Sequence, residues 1–194
     1  AFFMWGFFSL ALKPISYVSS FDILFFRILS STILIVLFSF IFRRKQLKYD
    51  LETYKNLSQS LRLRTISLTV LGGLLLGLNW FLFIYVVNKI NVQSASFAYL
   101  ICPIVTTILA FLILKDKLQP IQWVSIVISL VGCVLYYFTN SSNLIFALIV
   151  AVSYSLYLIS QKSNIHLDKF NVLLLQMLVI SIASLPYYLI SGFE

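Results

Sequence analysis

The sequence predicts an all-α fold, a polytopic bundle of membrane-spanning helices. The first reason is composition: 61% of the 194 residues are hydrophobic and 10% are charged, whereas soluble domains are about half apolar and about a quarter charged. The mean hydropathy is +1.00, which indicates that lipid is the solvent for most of the chain. The second reason is that the apolar residues form runs of membrane-spanning length. The third is that strict polar–apolar alternation is absent, which argues against a β-barrel.

Seven apolar segments qualify as membrane helices, the first only in part, and charged or turn residues bound each of them. They are residues 1–12, 22–42, 66–87, 94–114, 119–138, 144–160 and 171–191. No basic region precedes residues 1–12, and Lys13-Pro14 follows in place of a small-residue cleavage site. The first segment is therefore expected to be a truncated membrane helix and not a signal peptide.

The basic residues of the connections predict the orientation. One set of connections contains eleven Lys and Arg residues, and the opposite set contains two, Lys13 and Lys89. The eleven are Arg43, Arg44, Lys45, Lys48, Lys55, Arg62, Arg64, Lys115, Lys117, Lys162 and Lys169. Since short basic loops remain in the cytoplasm, the first set and the N-terminus are predicted to be cytoplasmic. The net charge of +8 then reflects sidedness, and nucleic acid is not an expected partner.

The longest connection, residues 43–65, carries Asp50 and Glu52 among its basic residues. Its apolar residues recur at spacings of three and four, which predicts a basic amphipathic helix on the inner leaflet. They are Leu47, Leu51, Tyr54, Leu57 and Leu61. A solvated, partly helical loop is the alternative.

The sequence also aligns with itself at an offset of 149 residues. FDILFFRIL at 21–29 then falls on FNVLLLQML at 170–178, and Lys13 falls on Lys162. Five helices separate the two copies, and an odd number reverses the direction of the chain. Inverted repeats of this kind are a common construction of secondary transporters, with the binding site between the halves.

The repeat aligns two polar residues within apolar helices, Arg27 and Gln176. Each is five residues into its segment, about 7.5 Å from the start. One interpretation is that Arg27 faces the bundle interior and serves function; the other is that it snorkels to the lipid headgroups. Gln176 either shares that function or bridges helices.

The fourth segment has one stripe of small and polar residues, formed by Ala95, Tyr99, Cys102, Thr106 and Ala110. Pro103 lies close to this stripe, where it removes a backbone donor and frees a carbonyl near Tyr99. The stripe would line a solute cavity or, equally well, form a packing seam.

The third segment is interrupted by Asn79-Trp80. A buried amide needs partners, so Asn79 would hydrogen-bond either another helix or a solute. Trp5, Trp80 and Tyr99 are candidates for flat cavity walls, although interfacial belts take most such aromatic residues.

Small residues recur every four positions, which predicts close contact between helices. Gly73 and Gly77 form a GxxxG in the third segment, and Ala147, Ala151 and Ser155 repeat in the sixth.

No enzyme motif is present. Cys102 and Cys133 lie in apolar runs without a CxxC, and His166 is a solitary histidine in a loop beside Asp168. Neither HExxH, a Walker motif nor GxSxG occurs. We therefore expect no catalytic residues, no metal and no cofactor.

Five stretches resemble the EamA family of the drug/metabolite transporter superfamily, closest to its RarD subgroup. They are WGFFSLALK, DILFFRILSS, GLNWFLFIYVVN, ASFAYLICPIVTTILAFLILKDKL and QWVSIVISLVGCVL. In LKDKL, Asp116 stands where the family usually has Glu. The resemblance implies ten helices in two inverted five-helix repeats, the first over 1–138 and the second, truncated here, over 143–194. Seven of the ten helices would be visible.

The expected function is secondary transport of a small metabolite or drug-like solute across the bacterial cytoplasmic (inner) membrane by alternating access. The alternatives are a non-transporting membrane subunit and a lipid-modifying membrane protein. The expected partners are a small-molecule solute and the lipid bilayer, with a homodimer as a further expectation. The candidate substrate-binding residues are Arg27, Asn79, Trp80, Tyr99, Pro103, Thr106, Gln176 and Trp5.

Overall fold

A computed structural model of the chain describes residues 14, 17–139 and 144–191. Within those ranges there are seven helices and no strand, which confirms the all-α class. They are α1 (Ser20–Phe42), α2 (Arg44–Asn56), α3 (Gln59–Lys89), α4 (Val92–Leu109, continued by a π-helical turn, Ala110–Leu114), α5 (Pro120–Thr139), α6 (Leu144–Ser163) and α7 (Lys169–Ser191). The first predicted segment, 1–12, lies outside the described residues.

Among the described residues, five helices are long and apolar enough to cross a bilayer: α1, α3, α4 with its π-helical turn, α6 and α7. In α5, an apolar stretch covers Pro120–Leu135. Large apolar side chains on these helices are exposed, among them Ile121, Ile128 and Leu135 of α5. An apolar surface of this extent is stable in lipid and not in water.

The connection between α4 and α5 is defined by local backbone chemistry. Lys115 ends α4 with φ 56° and ψ 33°, the left-handed conformation typical of helix C-termini. The side chain of Gln122 accepts a hydrogen bond from the backbone N–H of Gln119 at 2.7 Å. Pro120 is the first residue of α5, where its missing N–H costs nothing. The helix therefore starts within one residue of the predicted position.

The connection 43–65 differs from the prediction. Its first part is the helix α2, but that helix ends at Asn56. Leu57 and Ser58 are not helical, and Leu61 belongs to α3. The prediction of one continuous amphipathic helix is therefore wrong beyond Asn56. The span predicted from residue 66 begins at Gln59 because Gln, Leu and Arg are good helix formers, so the helix continues past the end of the apolar run.

The chain packs as two compact units that do not follow the order of the sequence. Of the described residues, the first unit contains 14, 17–20, 78–139 and 144–159, and the second contains 21–77 and 160–191. Helices α3 and α6 each contribute to both. The predicted repeats, 1–138 and 143–194, divide the chain along the sequence and not by packing, and they stay a prediction.

In the second unit, α1 and α7 pack antiparallel through residues that the offset of 149 relates to each other. The hydroxyls of Thr32 and Ser181, 149 positions apart, lie 2.9 Å from each other. The ring of Phe21 stacks on Tyr187 with centroids 4.8 Å apart. Its image under the offset is the contact of Phe170 with Phe38, with centroids 5.5 Å apart. A local twofold axis that relates α1 to α7 would produce this pattern, and the two-repeat organisation stays a prediction.

The GxxxG of α3 contacts α7, as its spacing predicts. A Cβ placed on Gly73 would lie 3.1 Å from the backbone oxygen of Gln176. A Cβ on Gly77 would lie 3.0 Å from Cγ2 of Ile180. The close approach of the two helices therefore requires the absence of a side chain at residue 73.

Candidate solute site

In the first unit, Asn79 lies at the junction of α3, α4 and α6. Its side chain is fully buried, and Nδ2 donates to the backbone oxygen of Val150 at 2.9 Å and to Oγ of Ser153 at 3.0 Å. The hydroxyl of Tyr99 donates to Oδ1 of Asn79 at 3.3 Å. The carboxamide therefore has protein partners for both amide hydrogens and for its oxygen.

Aromatic rings surround the Tyr99 side of this arrangement. The ring of Tyr99 packs on Phe83 with centroids 5.1 Å apart and meets Tyr154 edge-on at 5.5 Å. Tyr154 in turn packs against Tyr157 at 5.7 Å. Tyr99 thus has an apolar body held between rings and one hydroxyl tied to Asn79, the usual arrangement of a buried tyrosine.

The rest of the α4 stripe packs against α6. Thr106 donates from Oγ1 to Oγ of Ser155 at 2.8 Å, and Ser155 donates to the backbone oxygen of Cys102 at 3.3 Å. Cys102, Ile101 and Ala151 form the apolar core beside these bonds. Pro103 is exposed. These contacts are those that the packing-seam alternative expects, and a role in solute binding stays a prediction.

We call Asn79, Tyr99, Thr106, Ser153 and Ser155 the α3–α4–α6 seam. Sequence reasoning singled out the first three and included Ser155 as a small residue. It missed Ser153, which is buried and donates to the backbone oxygen of Val150 in its own helix at 2.9 Å. A serine in an apolar helix carries no signal of which neighbour it meets, so only the packing identifies it.

The remaining candidates lie elsewhere. Arg27 and Gln176 belong to the second unit, Trp80 is partly buried in α3, and Trp5 lies outside the described residues. Arg27 is partly buried and its Nη1 is covered by protein. The role of Arg27 in a solute site stays a prediction.

Gln176 is fully buried against α3. Its amide lies beside Gly72: a Cβ on Gly72 would lie 2.3 Å from Nε2 of Gln176 and 2.9 Å from Oγ of Ser160. Within the described part of the chain, neither Nε2 nor Oε1 of Gln176 has a hydrogen-bond partner. The carboxamide therefore packs into the space that Gly72 leaves, with its hydrogen-bonding capacity unused.

A polar network joins two connections that the charge count places on the same side of the membrane. Nη2 of Arg43 lies 2.8 Å from Oδ1 of Asp168. The same Oδ1 accepts from the backbone N–H groups of Phe170 and Asn171 at 3.0 and 3.3 Å, which caps α7. The two connections therefore share one end of the second unit, as the topology requires.

The apolar exterior, the helices of spanning length and the polar groups enclosed between them define a multi-pass helical membrane protein. The class becomes specific on comparison with known proteins. The profile of the EamA-like transporter family matches residues 1–138, and the chain belongs to that family.

Individual relatives agree. The chain is 31% identical over 192 residues to the uncharacterized transporter YojE of Bacillus subtilis, covering 99% of the chain and 62% of that protein. It is 31% identical over 157 residues to Protein RarD of Escherichia coli, covering 81% of the chain and 50% of that protein. The Protein RarD of Salmonella typhi is 32% identical over 158 residues, covering 81% and 51%.

These matches confirm the resemblance to the family and to its RarD subgroup. The chain spans between about half and 62% of the length of these relatives. No solved structure matches.

Proposed function

We propose that the whole protein is a secondary transporter that moves a small metabolite or drug-like solute across the bacterial cytoplasmic membrane by alternating access, with its N-terminus in the cytoplasm. The observation that carries the proposal is the match of the transporter-family profile over 138 residues. The polar side chains enclosed within the spans support it, because such groups are costly in a membrane and are usually retained for function.

Arg27 is the proposed anchor for the solute. A charged residue at the centre of a lipid-facing helix costs about 2.5–3.5 kcal/mol on insertion scales, and protein covers at least Nη1 of this guanidinium. An enclosed guanidinium attracts carboxylate or phosphate groups and orients them through paired hydrogen bonds. We therefore propose that Arg27 binds an anionic group of the solute or holds an inter-helix gate.

The other candidate residues differ in whether their hydrogen-bonding groups already have protein partners. Gln176 retains an amide donor and an acceptor without partners among the described residues, so we propose that it offers them to the solute. Asn79 and Tyr99 hydrogen-bond each other, and Thr106 bonds to Ser155. The candidates Asn79, Tyr99 and Thr106, together with Pro103, would shape the helices around the solute. Trp80 and Trp5 would supply flat walls of the site.

Counterflow in liposomes that contain only the purified full-length protein tests this function. A panel of amino acids and other metabolites is screened, and Arg27→Ala is compared with Arg64→Ala, a matched change at an exposed arginine of α3. Arg27→Ala should lower the counterflow rate roughly tenfold or more, because a hydrogen bond to a charged group contributes about 1.5–3 kcal/mol. Arg64→Ala should remain close to wild type.

Membrane insertion of both variants is measured in parallel, so that a loss of transport is separated from a loss of protein. Full transport by Arg27→Ala would assign Arg27 to the headgroups and remove it from the site. The absence of counterflow for every solute would favour the non-transporting subunit, and a chemical change in the lipids would favour a lipid-modifying protein.

A further inference from the structure

The second unit contains a cavity that the proposed transport does not use. Its volume is ≈ 470 Å³, and it lies among α2, the first half of α3 and α7. The lining is mostly aliphatic, with Leu47, Ile66, Val70, Leu174, Leu178 and Ile182 among its residues. Along α7 it extends from Asn171 to Ile182, about 16 Å at 1.5 Å per residue. The cavity is therefore long, narrow and apolar over most of its length.

The aliphatic part of the cavity reaches the outer surface of the spans. Ile66 is 46% exposed, Leu178 is 37% exposed and Ile182 is 67% exposed. All three belong to helices long and apolar enough to cross a bilayer, so we expect their exposed faces to meet acyl chains. A molecule with an alkyl chain would thus enter sideways from the lipid.

At the end of the cavity that α2 lines, the side chain of Asp50 provides a carboxylate. Asp50 is 7% exposed and lines the cavity. It accepts hydrogen bonds from Nε2 of Gln46 at 3.2 Å, from the backbone N–H of Asp168 at 3.0 Å and from Nδ2 of Asn171 at 2.7 Å. All three donors are neutral. In the part of the chain that the structure describes, Asp50 has no cationic partner, whereas the neighbouring Asp168 is paired with Arg43.

Two further oxygen atoms at the cavity wall are unsatisfied. Oγ1 of Thr65 and Oδ1 of Asn171 are buried and have no hydrogen-bond partner among the described residues. Both side chains are less than 4% exposed, and both residues line the cavity. Buried polar atoms are almost always paired, and a buried carboxylate is stable only when it is compensated. Asp50 thus lacks a positive counter-charge, and the two oxygens lack donors among the described residues.

We propose that this cavity binds an amphiphile that has a primary ammonium head and a long alkyl chain. The ammonium group places its positive charge beside Asp50 and donates its hydrogens to the unsatisfied oxygens, while the chain occupies the aliphatic groove. An ethanolamine phospholipid and a free alkylamine both present this chemistry. The site is independent of the proposed transport and would stand if that proposal failed.

Ligand-induced stabilisation of the full-length protein in phosphatidylcholine nanodiscs tests the site, because a ligand that binds the folded state raises the melting temperature. The probes are n-dodecylamine, n-dodecanol and dodecyltrimethylammonium. Dodecylamine should bind about tenfold or more tightly than dodecanol, which has the same chain without the charge. It should also bind more tightly than the quaternary ammonium, which has no N–H donor. Equal binding of the three probes would overturn the proposal.

Two matched substitutions on α2 locate the charge. Asp50→Asn keeps the size of the side chain and one accepting oxygen, and it should remove the preference for dodecylamine over dodecanol. Glu52→Gln makes the same change of charge at an exposed position two residues away and should leave the preference intact. A preference that survives in Asp50→Asn, or that is lost equally in both variants, would contradict the assignment.

A third substitution tests the groove without altering the polar end. Val70→Trp fills part of the aliphatic wall and should weaken dodecylamine binding about fivefold or more, since buried alkyl contacts are lost. Unchanged binding by this variant would exclude the cavity as the site. Replacing part of the phosphatidylcholine by phosphatidylethanolamine identifies the source: competition with dodecylamine indicates the lipid, and no competition indicates a free amine.

Discussion

The α3–α4–α6 seam and the interface of α3 with α7 use similar polar residues in opposite ways. In the seam, the amide of Asn79 and the hydroxyl of Thr106 have protein partners. At the α3–α7 interface, the amide of Gln176 and the hydroxyl of Thr65 are buried without one in the described part of the chain. Both regions include α3, and they differ in what the neighbouring helix presents to its polar residues.

This difference separates two uses of polar residues in a membrane protein. A satisfied group contributes to packing, on average about 0.6 kcal/mol per interhelical hydrogen bond. An unsatisfied group costs about 1–3 kcal/mol, so its retention points to a ligand or to a second conformation in which it is paired. Substituting a polar residue of the seam is therefore expected to lower stability, and substituting a polar residue of the α3–α7 interface is expected to alter function.

The largest effect is predicted at Gly73, where α3 lies against the backbone of α7. Gly73→Ala places a methyl group 3.1 Å from the backbone oxygen and 3.3 Å from Cα of Gln176, and neither atom moves without displacing α7. Overpacking of this kind typically costs about 1–3 kcal/mol. We expect a loss of about 2 kcal/mol in the free energy of unfolding, measured by reversible unfolding in mixed micelles.

Gly132 provides the matched control, since a Cβ there meets nothing within 4 Å. Gly132→Ala should be neutral or stabilise α5 by up to about 1 kcal/mol, from helix propensity alone. A similar loss in both variants would mean that the α3–α7 contact is not the cause.

The next prediction compares substitutions of the two buried amides, Asn79 and Gln176. Asn79→Leu removes the acceptor of the Tyr99 hydroxyl and the donor to the backbone oxygen of Val150 and to Oγ of Ser153. It should lower the free energy of unfolding by about 2 kcal/mol. Gln176→Met removes an amide without partners and keeps the unbranched shape, so its stability should be unchanged or about 1 kcal/mol higher. Both are measured by unfolding in mixed micelles. Equal losses in the two variants would remove the distinction between the regions.

The α4 stripe shows how much of the candidate site could be predicted from the sequence. The spacing of Tyr99, Cys102 and Thr106 placed these residues on one face correctly, and the GxxxG at Gly73 predicted a close contact. Helix positions follow from hydrophobic runs, which are local in sequence. Whether the stripe faced a cavity or another helix depended on Ser155, 49 residues further along the chain from Thr106, and periodicity carries no information on that pairing.

Asp50 shows where the sequence fails. Among basic residues in a long connection, an acidic residue is expected to be solvated, yet Asp50 is buried and accepts a hydrogen bond from Asn171. The non-helical residues Leu57 and Ser58 separate α2 from α3, which allows α2 to pack against α3 and α7. No local propensity specifies that packing. The cavity beside Asp50 therefore exists only at the level of tertiary structure.

The smallest predicted effect applies one substitution to both regions. Thr106→Val removes the donor to Oγ of Ser155 and should cost about 1 kcal/mol, within the range of interhelical hydrogen bonds in membrane proteins. Thr65→Val removes a hydroxyl that has no partner among the described residues and should cost nothing. The shape change is the same in both, so the difference between the two losses isolates the hydrogen bond. Unfolding in mixed micelles without added amphiphile measures both variants. An equal or larger loss in Thr65→Val would mean that its hydroxyl is paired in the membrane, and the contrast between the regions would then rest on the two amides alone.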